Sequence, residues 1–335
     1  MADKTLLIGD IGGTNARFAL ADQEHPGFSN AMTLKCADFA WADDAIRHYL
    51  DELSADSPDV ICLAAAGPVV DNTVQITNNH WTLNAADIAA DFAIDAVRLL
   101  NDFEALAYSI PHLQVAESLA IGLPANKPLP EDKFNVSIIG PGTGLGTAGL
   151  MKRGPIIAPV VGEGGHVGFA PKSQVQVEIL SALRSKFDRV SVERLISGSG
   201  LENIYWALTY IHGEHRTQLS AKEVFANCGE GGDPRAAEAV HMFFEILGQV
   251  AGDLALTMGA VDGVYVAGGI AKRYPELLQN SGFRSAFGNK GRYRSYMERI
   301  PTLLITHDEP GLLGSASSAL ELSSSAGLGT DVIPT

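Results

Sequence analysis

The chain has 335 residues, of which 46% are hydrophobic and 19% charged, and its excess of acidic residues gives a net charge of −15. This length favours two domains, because one hydrophobic core stops growing near roughly 250 to 300 residues, and the composition excludes an intrinsically disordered chain. The acidic balance argues against nucleic acid or an anionic membrane surface as a partner, since both require a basic patch.

The first third of the chain is predicted to contain three short strands, a helix, two further strands and a second helix. The first helix is indicated by apolar residues that recur at helical spacing between Ala42 and Leu53. The predicted strands span residues 4–9, 16–21, 30–35, 59–66 and 96–100, and the second helix spans 102–110.

The same order of elements restarts in the second half of the chain. Predicted strands span 134–139, 146–151, 156–160, 263–267 and 302–306, and predicted helices lie near 174–187, 200–212, 234–258 and 312–322. Because helices and strands alternate in both halves, we expect parallel strand pairing, with helices that cover the sheets.

The three cysteines, Cys36, Cys62 and Cys228, are far apart in the sequence and show no CxxC spacing. We therefore expect neither a disulfide framework nor a zinc site built on thiolates. No signal-peptide pattern opens the sequence, and no uninterrupted apolar stretch reaches the roughly 18 residues that a membrane span needs. A reducing cytoplasm is the expected compartment.

Two glycine-rich turns, GDIGGTN at 9–15 and GPGTGLG at 140–146, each lie between two predicted strands. Such turns let the backbone approach a phosphate and direct N–H groups toward it, with a threonine hydroxyl as a further donor. The alternative is a pair of plain hairpin turns. Neither is a Walker loop, because the GK[ST] ending is missing. The candidate phosphate ligands are Gly12, Gly13 and Thr14 in the first turn and Gly142, Thr143 and Gly144 in the second.

Asp10 directly follows the first predicted strand and adjoins the first turn. Its carboxylate could orient Mg²⁺ through water while the turn holds phosphate oxygens, or it could be a turn-forming aspartate. Neither turn carries a lysine, and Arg17 is the arginine that lies nearest to them in sequence. We therefore expect Mg²⁺ and backbone N–H groups to balance most of the phosphate charge.

A dinucleotide-binding pattern competes with the phosphate-loop interpretation of the second turn. Gly144, Gly146 and Gly149 satisfy GxGxxG after a predicted strand, and Glu163 lies near where a ribose-binding acid is found. That pattern requires a helix to begin at the turn, whereas residues 149–165 contain five glycines and two prolines. The sequence therefore argues against a dinucleotide-dependent oxidoreductase.

Asn101 and Asp102 follow a predicted strand and precede a predicted helix. The carboxyl end of a parallel strand is where α/β folds bind ligands, and an adjacent amide and carboxylate suit sugar hydroxyls, which both donate and accept. The alternative is structural, because Asn101 and Glu104 form a capping-box pattern.

The segment GEGGH places Glu163 and His166 in a backbone too rich in glycine to be helical. Glycines at 162, 164 and 165 permit unusual φ values, which could aim both side chains into one cavity. A metal site is the competing interpretation, but two ligands without a neighbouring Cys, Asp or His are too few for one.

Seven segments closely resemble bacterial glucokinases, and they occur in order over nearly the whole chain. The resemblance implies the two-domain α/β fold of hexokinases and actin-like ATPases, which is ribonuclease H-like, with ATP and sugar in a cleft between the domains. The expected small domain spans 1–112 plus 307–335, and the large domain spans 113–306. The segments are DIGGTNAR at 10–17, LLNDFEA at 99–105, GPGTGLG at 140–146, GEGGHVGFAP at 162–171, VERLISGSGL at 192–201, VAGGI at 266–270 and HDEPGLLG at 307–314.

The resemblance also implies roles for individual residues, with Asp102 as the catalytic base. Gly268 and Gly269 would let adenosine approach the backbone. Without the resemblance, Glu193 would be interpreted as a charge on a helix surface. The implied phosphate-loop residues are Gly9, Asp10, Ile11, Gly12, Gly13, Thr14, Gly142, Thr143 and Gly144, and the implied sugar ligands are Asn101, Asp102, Glu163, His166 and Glu193.

The implied activity is transfer of the ATP γ-phosphoryl group to the 6-hydroxyl of glucose, the first step of glycolysis, with Mg²⁺, in a cytoplasmic homodimer. A kinase for mannose, fructose or an N-acetylhexosamine is the alternative among enzymes. A sugar-sensing transcription regulator on the same fold would need a basic helix-turn-helix module. The predicted strand that begins at Lys4 leaves no room for such a module.

Overall fold

The structure is a computed structural model that describes residues 4–125, 127–214 and 217–325. The chain divides into two compact units, of which unit 1 comprises Met1–Leu113 together with His307–Thr335, and unit 2 comprises Gln114–Thr306. Unit 1 is therefore assembled from two separate stretches of the chain. Residues 1–3 and 326–335, which the sequence analysis assigned to the small domain, lie outside the described part.

The first stretch of unit 1 begins with two hairpins and then alternates strands with helices. Its strands are β1 (Leu6–Ile11), β2 (Asn15–Ala21), β3 (Phe28–Lys35), β4 (Val60–Ala65), β5 (Thr73–Gln75), β6 (Thr82–Asn84) and β7 (Ala96–Asn101). Its helices are α1 (Ala42–Leu53), α2 (Ala85–Phe92) and α3 (Asp102–Ser109).

Unit 2 contains one sheet and most of the helical residues of the described chain. Its strands are β8 (Ser118–Ala120), β9 (Lys133–Pro141), β10 (Leu145–Arg153), β11 (Ile156–Gly162), β12 (Gly263–Val266) and β13 (Thr302–Ile305). Its helices are α4 (Gln174–Leu183), α5 (Gly198–Ile211), α6 (Ala221–Asn227), α7 (Pro234–Met258), α8 (Gly269–Arg273), α9 (Pro275–Gln279), α10 (Phe283–Gly288) and α11 (Arg294–Met297). The chain then returns to unit 1 with α12 (Pro310–Ser325).

The main sheet of unit 1 has the strand order β3-β2-β1-β4-β7. The pairs β1–β4 and β4–β7 are parallel, and their registers align Ile11 with Ala65 and Ala65 with Asn101. The carboxyl ends of these three strands therefore lie at one edge of the sheet. The first glycine-rich turn and the Asn101–Asp102 pair leave the sheet from that same edge.

The sheet of unit 2 has the order β11-β10-β9-β12-β13-β8. The pair β9–β12 is parallel, with Ile139 aligned with Val266, and the N–H of Ala267 donates to the carbonyl oxygen of Ile139 at 2.9 Å. The second glycine-rich turn follows β9, and Gly268 follows β12. These two segments therefore emerge at the same edge of this sheet.

The expected parallel pairing is correct for β1–β4–β7 and for β9–β12–β13. The first three predicted strands of each half, which come before the alternation of helices and strands, pair antiparallel. The physical reason is connection length, because a parallel crossover needs a dozen or more residues and these strands are joined by much shorter turns.

Each unit has its own hydrophobic core. In unit 1, Phe18, Tyr49 and Trp81 are fully buried beside the apolar strand residues, and in unit 2 the buried side of α7 packs against α5, α6 and α10. By length and composition alone α7 could cross a membrane, but 72% of its most apolar window is buried inside the protein. The count of uninterrupted apolar residues did not single out this helix, and its burial is that of a core helix.

Helix α12 packs against α3, β1 and β4 of unit 1. At the crossing with α3, Gly314 lies so close to the carbonyl oxygen of Ala105 that a Cβ atom there would overlap it. The next residue, Ser315, is buried and donates its hydroxyl to the carbonyl oxygen of Gly9 at 3.2 Å. The absence of a side chain at 314 therefore sets the distance between the two helices.

We expect Gly314→Ala to lower the free energy of unfolding, although a glycine-to-alanine change inside a helix ordinarily raises it by about 0.5–1 kcal/mol. The added methyl group must push α12 away from α3, and overpacking of this kind costs about 1–3 kcal/mol. Urea unfolding followed by circular dichroism measures the change. Gly288→Ala is the matched control, because a Cβ atom at Gly288 meets no atom within 4 Å. Equal stabilities of the two variants would contradict the packing assigned to Gly314.

Candidate active site

The first glycine-rich turn joins β1 to β2 as a short hairpin. The N–H of Gly12 donates to the carbonyl oxygen of Asn15 at 2.9 Å, and the amide of Asn79 donates to the carbonyl oxygen of Gly12 at 3.2 Å. A Cβ atom at Gly13 would lie 2.9 Å from the carbonyl oxygen of Thr77, so glycine is required there for close approach. The N–H groups of Gly13 and Thr14 have no partner among the described residues and could bind an anion.

Asp10, on β1, is the acidic residue nearest to this turn, and its side chain is 27% exposed. Burial raises the pKa of Asp10 to about 6, against the lowering effect of Arg17 and with a smaller raising effect from Glu309. Arg17 Nη1 lies 4.0 Å from Asp10 Oδ2, and Arg17 Nε lies 3.3 Å from Glu309 Oε1. The Arg17 guanidinium is therefore paired with carboxylates.

A partly exposed carboxylate beside this turn fits Mg²⁺ held through water, because Mg²⁺ keeps several waters and uses one or two carboxylates with substrate phosphates. A Cβ atom at Gly311, in the first turn of α12, would lie 2.7 Å from Asp10 Oδ2. Helix α12 therefore closes one side of the Asp10 carboxylate. Over residues 4–125, 127–214 and 217–325, no group of three or more His, Cys, Asp or Glu side chains could hold a metal ion directly.

Asn101 is the N-cap of α3, as the capping-box pattern predicts. Its Oδ1 accepts from the N–H of Phe103 at 2.9 Å, and Glu104 Oε2 accepts from the N–H of Asn101 at 3.4 Å. Its Nδ2 also donates to the carbonyl oxygen of Gly67 at 2.9 Å, which ties the loop after β4 to the start of α3. The structural role of Asn101 is thus established, and its role as a sugar ligand stays a prediction.

Asp102 is the first residue of α3 and is half-buried. Its Oδ1 accepts from the N–H of Phe103 at 3.0 Å, so this N–H is shared with Asn101. Helix capping therefore does not depend on Asp102, and the N-terminal end of α3 favours its negative charge.

The second glycine-rich turn joins β9 to β10, and its N–H groups follow the pattern of the first turn. The N–H of Gly142 donates to the carbonyl oxygen of Gly144 at 2.8 Å. Those of Thr143 and Gly144 have no partner within the described chain. Because β10 follows the turn and no helix begins there, the dinucleotide interpretation of Gly144, Gly146 and Gly149 is excluded.

Glu193 lies in a single turn of 3₁₀ helix, Val192–Arg194, beside the second glycine-rich turn. Its Oε2 accepts from the N–H of Leu145 at 2.9 Å. Sequence reasoning did not foresee this contact, which joins residues 48 positions apart. The alternative of an isolated surface charge is therefore wrong, because the side chain is half-buried and hydrogen-bonded.

Gly268 has φ +87 and ψ 152, a backbone conformation that is essentially restricted to glycine. A Cβ atom there would also lie 2.5 Å from the carbonyl oxygen of Pro141, in the second glycine-rich turn. Gly269 is exposed, and a Cβ atom at that position meets nothing within 4 Å. Close approach at Gly268 and open space at Gly269 are compatible with the predicted adenosine contact.

The GEGGH segment is helical, contrary to the sequence analysis, since Gly164–His166 form one turn of 3₁₀ helix. Gly162, Gly164 and Gly165 have no positive φ. Glycine is needed at 164 and 165 for space instead, because a Cβ atom would collide with Thr147 and Leu145 respectively.

The side chains of Glu163 and His166, the two predicted sugar ligands of this segment, are exposed. Neither residue lines the cavity of about 400 Å³ in unit 2, which is bounded by Lys172, His241, Glu245, Gln249, Gly282, Ser285, Ala286 and Asn289.

Comparison with known proteins identifies the family and the fold of the chain. The sequence matches the Glucokinase family over residues 7–322. It is 42% identical to a glucokinase from Nitrobacter hamburgensis over 316 residues, which are 94% of this chain and 97% of that protein. The crystal structure of a glucokinase from an Antarctic psychrotroph superposes with a TM-score of 0.88 at 32% identity, covering 95% of this chain and 99% of that chain.

A ROK family glucokinase from Streptomyces griseus, solved in complex with glucose and AMPPNP, superposes with a TM-score of 0.61 and covers 95% of this chain and 99% of that chain. At 20% identity this likeness concerns the fold alone. The predicted hexokinase and actin-like ATPase fold is confirmed by these neighbours. From the match over nearly its whole length and the identity to curated members, the chain belongs to the glucokinase family, whose members are phosphotransferases.

Proposed function

We propose that the chain transfers the γ-phosphoryl group of ATP to the 6-hydroxyl of glucose, giving glucose 6-phosphate and ADP in the first step of glycolysis. Family membership supports the kinase reaction, and the Streptomyces griseus complex with glucose and AMPPNP supports this pair of substrates. The observation that carries the proposal is the alignment of Ile11, Ala65 and Asn101, which brings the first glycine-rich turn and the Asp102 carboxylate to one sheet edge.

In this proposal the backbone of the two glycine-rich turns binds the phosphates of ATP. The N–H groups of Gly13 and Thr14 serve the first turn, and those of Thr143 and Gly144 serve the second. Gly9 and Ile11 hold the first turn on β1, and Gly268 and Gly269 face the adenosine. Asp10 is the residue that would hold Mg²⁺ through water, and when bound this ion neutralises charge on the β- and γ-phosphate oxygens.

The sugar is assigned to the side chains of Asn101, Asp102, Glu163, His166 and Glu193. Carboxylates accept hydrogen bonds from sugar hydroxyls, while the Asn101 amide and the His166 imidazole can also donate. In the transfer step the Asp102 carboxylate accepts the proton of the 6-hydroxyl. A bond forms between that oxygen and the γ-phosphorus as the bond from phosphorus to the β,γ-bridging oxygen breaks, and ADP leaves.

An assay coupled to ADP production, run over glucose, mannose, fructose and N-acetylglucosamine, tests the substrate assignment. We expect the highest kcat/KM with glucose. A higher kcat/KM with any other sugar would show that this sugar, and not glucose, is the preferred substrate. The same assay, run with other phosphoryl donors in place of ATP, tests the assignment of ATP as the donor.

Glu163 and His166 provide a second test, since both are exposed and act only on the sugar in this proposal. We expect Glu163→Gln and His166→Ala to raise the KM for glucose by about fivefold, because the first removes the charge of an acceptor and the second removes a hydrogen bond worth about 1 kcal/mol. The Kd for ATP should stay within about twofold. Glu230→Gln, a neutralised glutamate on an exposed loop, is the control. Equal loss of ATP and glucose binding would show that the assignment of both residues to the sugar site is wrong.

We propose a cytoplasmic location and a homodimer, which the family resemblance supports. Sedimentation equilibrium over a range of protein concentrations tests the dimer, and a monomer at all concentrations would contradict it.

A further inference from the structure

We propose that Glu193 is a positioning residue that fixes the second glycine-rich turn and thereby couples sugar binding to nucleotide binding. The inference rests on the proposed function, in which Glu193 contacts the sugar and the turn contacts the phosphates. It goes beyond that function by giving one carboxylate a role in both sites.

The first observation is the direct contact between the carboxylate and the turn. Glu193 Oε2 accepts from the N–H of Leu145 at 2.9 Å, and a Cβ atom at Gly144 would lie only 2.7 Å from the same oxygen. The Glu193 carboxylate therefore occupies the space that a side chain at 144 would need. A hydrogen bond from a backbone N–H to a charged carboxylate is stronger than a neutral one and fixes the end of the turn.

The second observation is that the segment carrying Glu193 holds the other end of the turn as well. The N–H of Gly198 donates to the carbonyl oxygen of Gly142 at 2.9 Å. The hydroxyl of Ser197 donates to the carbonyl oxygen of Glu193 at 2.8 Å and accepts from the N–H of Gly200 at 3.0 Å, which caps α5. The backbone of Glu193 is thus anchored to a helix, and its side chain is a defined support for the turn.

The third observation concerns the two oxygens of this carboxylate. Oε2 is used by Leu145, whereas Oε1 has no hydrogen-bond partner among the described residues. A sugar hydroxyl can therefore bind Oε1 while Oε2 keeps the turn in place. A sugar hydroxyl on Oε1 restricts the same side-chain torsions that the contact between Oε2 and the nucleotide-binding turn restricts. Sugar and nucleotide should therefore each lower the cost of binding the other, and by the same factor.

Gly144→Ala separates this inference from independent sites, because its added methyl group displaces the Glu193 carboxylate from within the turn. Gly144 has no positive φ, so alanine adds no backbone strain there. We expect the glucose Kd, measured by calorimetry without nucleotide, to rise at least about fivefold, the lower end of ordinary coupling between sites. Gly142→Ala is the matched control, because its Cβ atom meets nothing within 4 Å, and its glucose Kd should change by less than about twofold.

Substitution of Glu193 tests the coupling in the opposite direction, through its effect on ATP binding. Glu193→Ala removes the acceptor for Leu145 and should weaken ATP binding, measured without sugar, by about fivefold or more. Glu193→Gln keeps a neutral acceptor and should recover most of that loss, whereas Glu163→Gln should leave the ATP Kd unchanged. Melting temperatures close to that of the wild type show that the variants fold.

The outcomes distinguish this inference from the proposed function. Wild-type protein that binds neither glucose nor ATP would overturn the proposed function itself. Wild-type binding of both ligands, with an unchanged ATP Kd in Glu193→Ala, would overturn only the coupling role of Glu193. The same conclusion would follow if Gly144→Ala and Gly142→Ala had equal effects on the glucose Kd.

Discussion

Asp102→Asn is expected to lower kcat by at least about 100-fold, because general-base catalysis contributes typically about 10² to 10⁴-fold and a neutral amide has no comparable basicity. Folding should survive, since the N-cap of α3 is Asn101 and an asparagine at 102 keeps an oxygen that can accept from the N–H of Phe103. Stopped-time assays with saturating glucose and ATP give kcat, and calorimetry gives the glucose Kd, which should rise by no more than about tenfold, the effect of neutralising one sugar ligand.

The matched control for Asp102→Asn is Asp87→Asn. Asp87 also lies in the first turn of a helix of unit 1, at α2, and is exposed. A wild-type melting temperature in both variants, with turnover lost in Asp102→Asn alone, supports catalysis by Asp102. Near-normal kcat in Asp102→Asn would reduce this residue to a structural role and remove the base from the proposed mechanism.

Removal of divalent cations is expected to abolish turnover, to below about one part in a thousand, with recovery when Mg²⁺ is added in excess of EDTA. The reason is charge, since the two glycine-rich turns supply backbone N–H groups and no lysine, and Arg17 is paired with Glu309 at 3.3 Å. Nothing in these turns could otherwise neutralise the triphosphate. Full turnover in EDTA would refute this account of phosphate binding.

Asp10→Asn refines the cation experiment. We expect the Mg²⁺ concentration for half-maximal activity to rise, because the acceptor for metal-bound water loses its charge. The variant should be more stable than the wild type in EDTA at pH 7. Burial raises the pKa of Asp10 from 3.8 to about 6, so the ionised carboxylate destabilises the folded state increasingly as pH rises between these values and fully above about 6. Reduced activity with reduced stability would point to unfolding instead.

Element order was largely predictable because apolar periodicity reports on burial, and the strands before and after both glycine-rich turns lie where the sequence indicates. The hairpin β5–β6 and helix α2 were missed, since their elements are short, with 3 residues in each strand and 8 in the helix. The N-cap Asn84, which accepts from Ala86 and Asp87, was an available signal for α2. Helix α6 was missed as well, and the Ser220–Glu223 capping box was an available signal for it.

The site was less predictable, because its contacts join residues far apart in the chain. Local pattern identified the capping role of Asn101, which depends on Glu104 three residues later. It could not place the Glu193 carboxylate on Leu145, or Arg17 beside Glu309. It also gave the wrong reason for the glycines at 164 and 165, since a sequence shows which residues allow positive φ but not which neighbours leave no room for a Cβ atom.

The construction of unit 1 from two stretches of the chain has a consequence for synthesis on the ribosome. Helix α12 supplies the packing partner of β1, β4 and α3, yet it is translated after all of unit 2. Unit 2 can fold co-translationally as a continuous segment. Unit 1 cannot complete its core until α12 has been synthesised, and until then the apolar surface of its sheet that α12 covers stays exposed. Nascent chains that end at residue 309 and continue into a linker long enough to span the ribosomal exit tunnel should therefore protect unit 2 from protease and leave residues 4–113 sensitive.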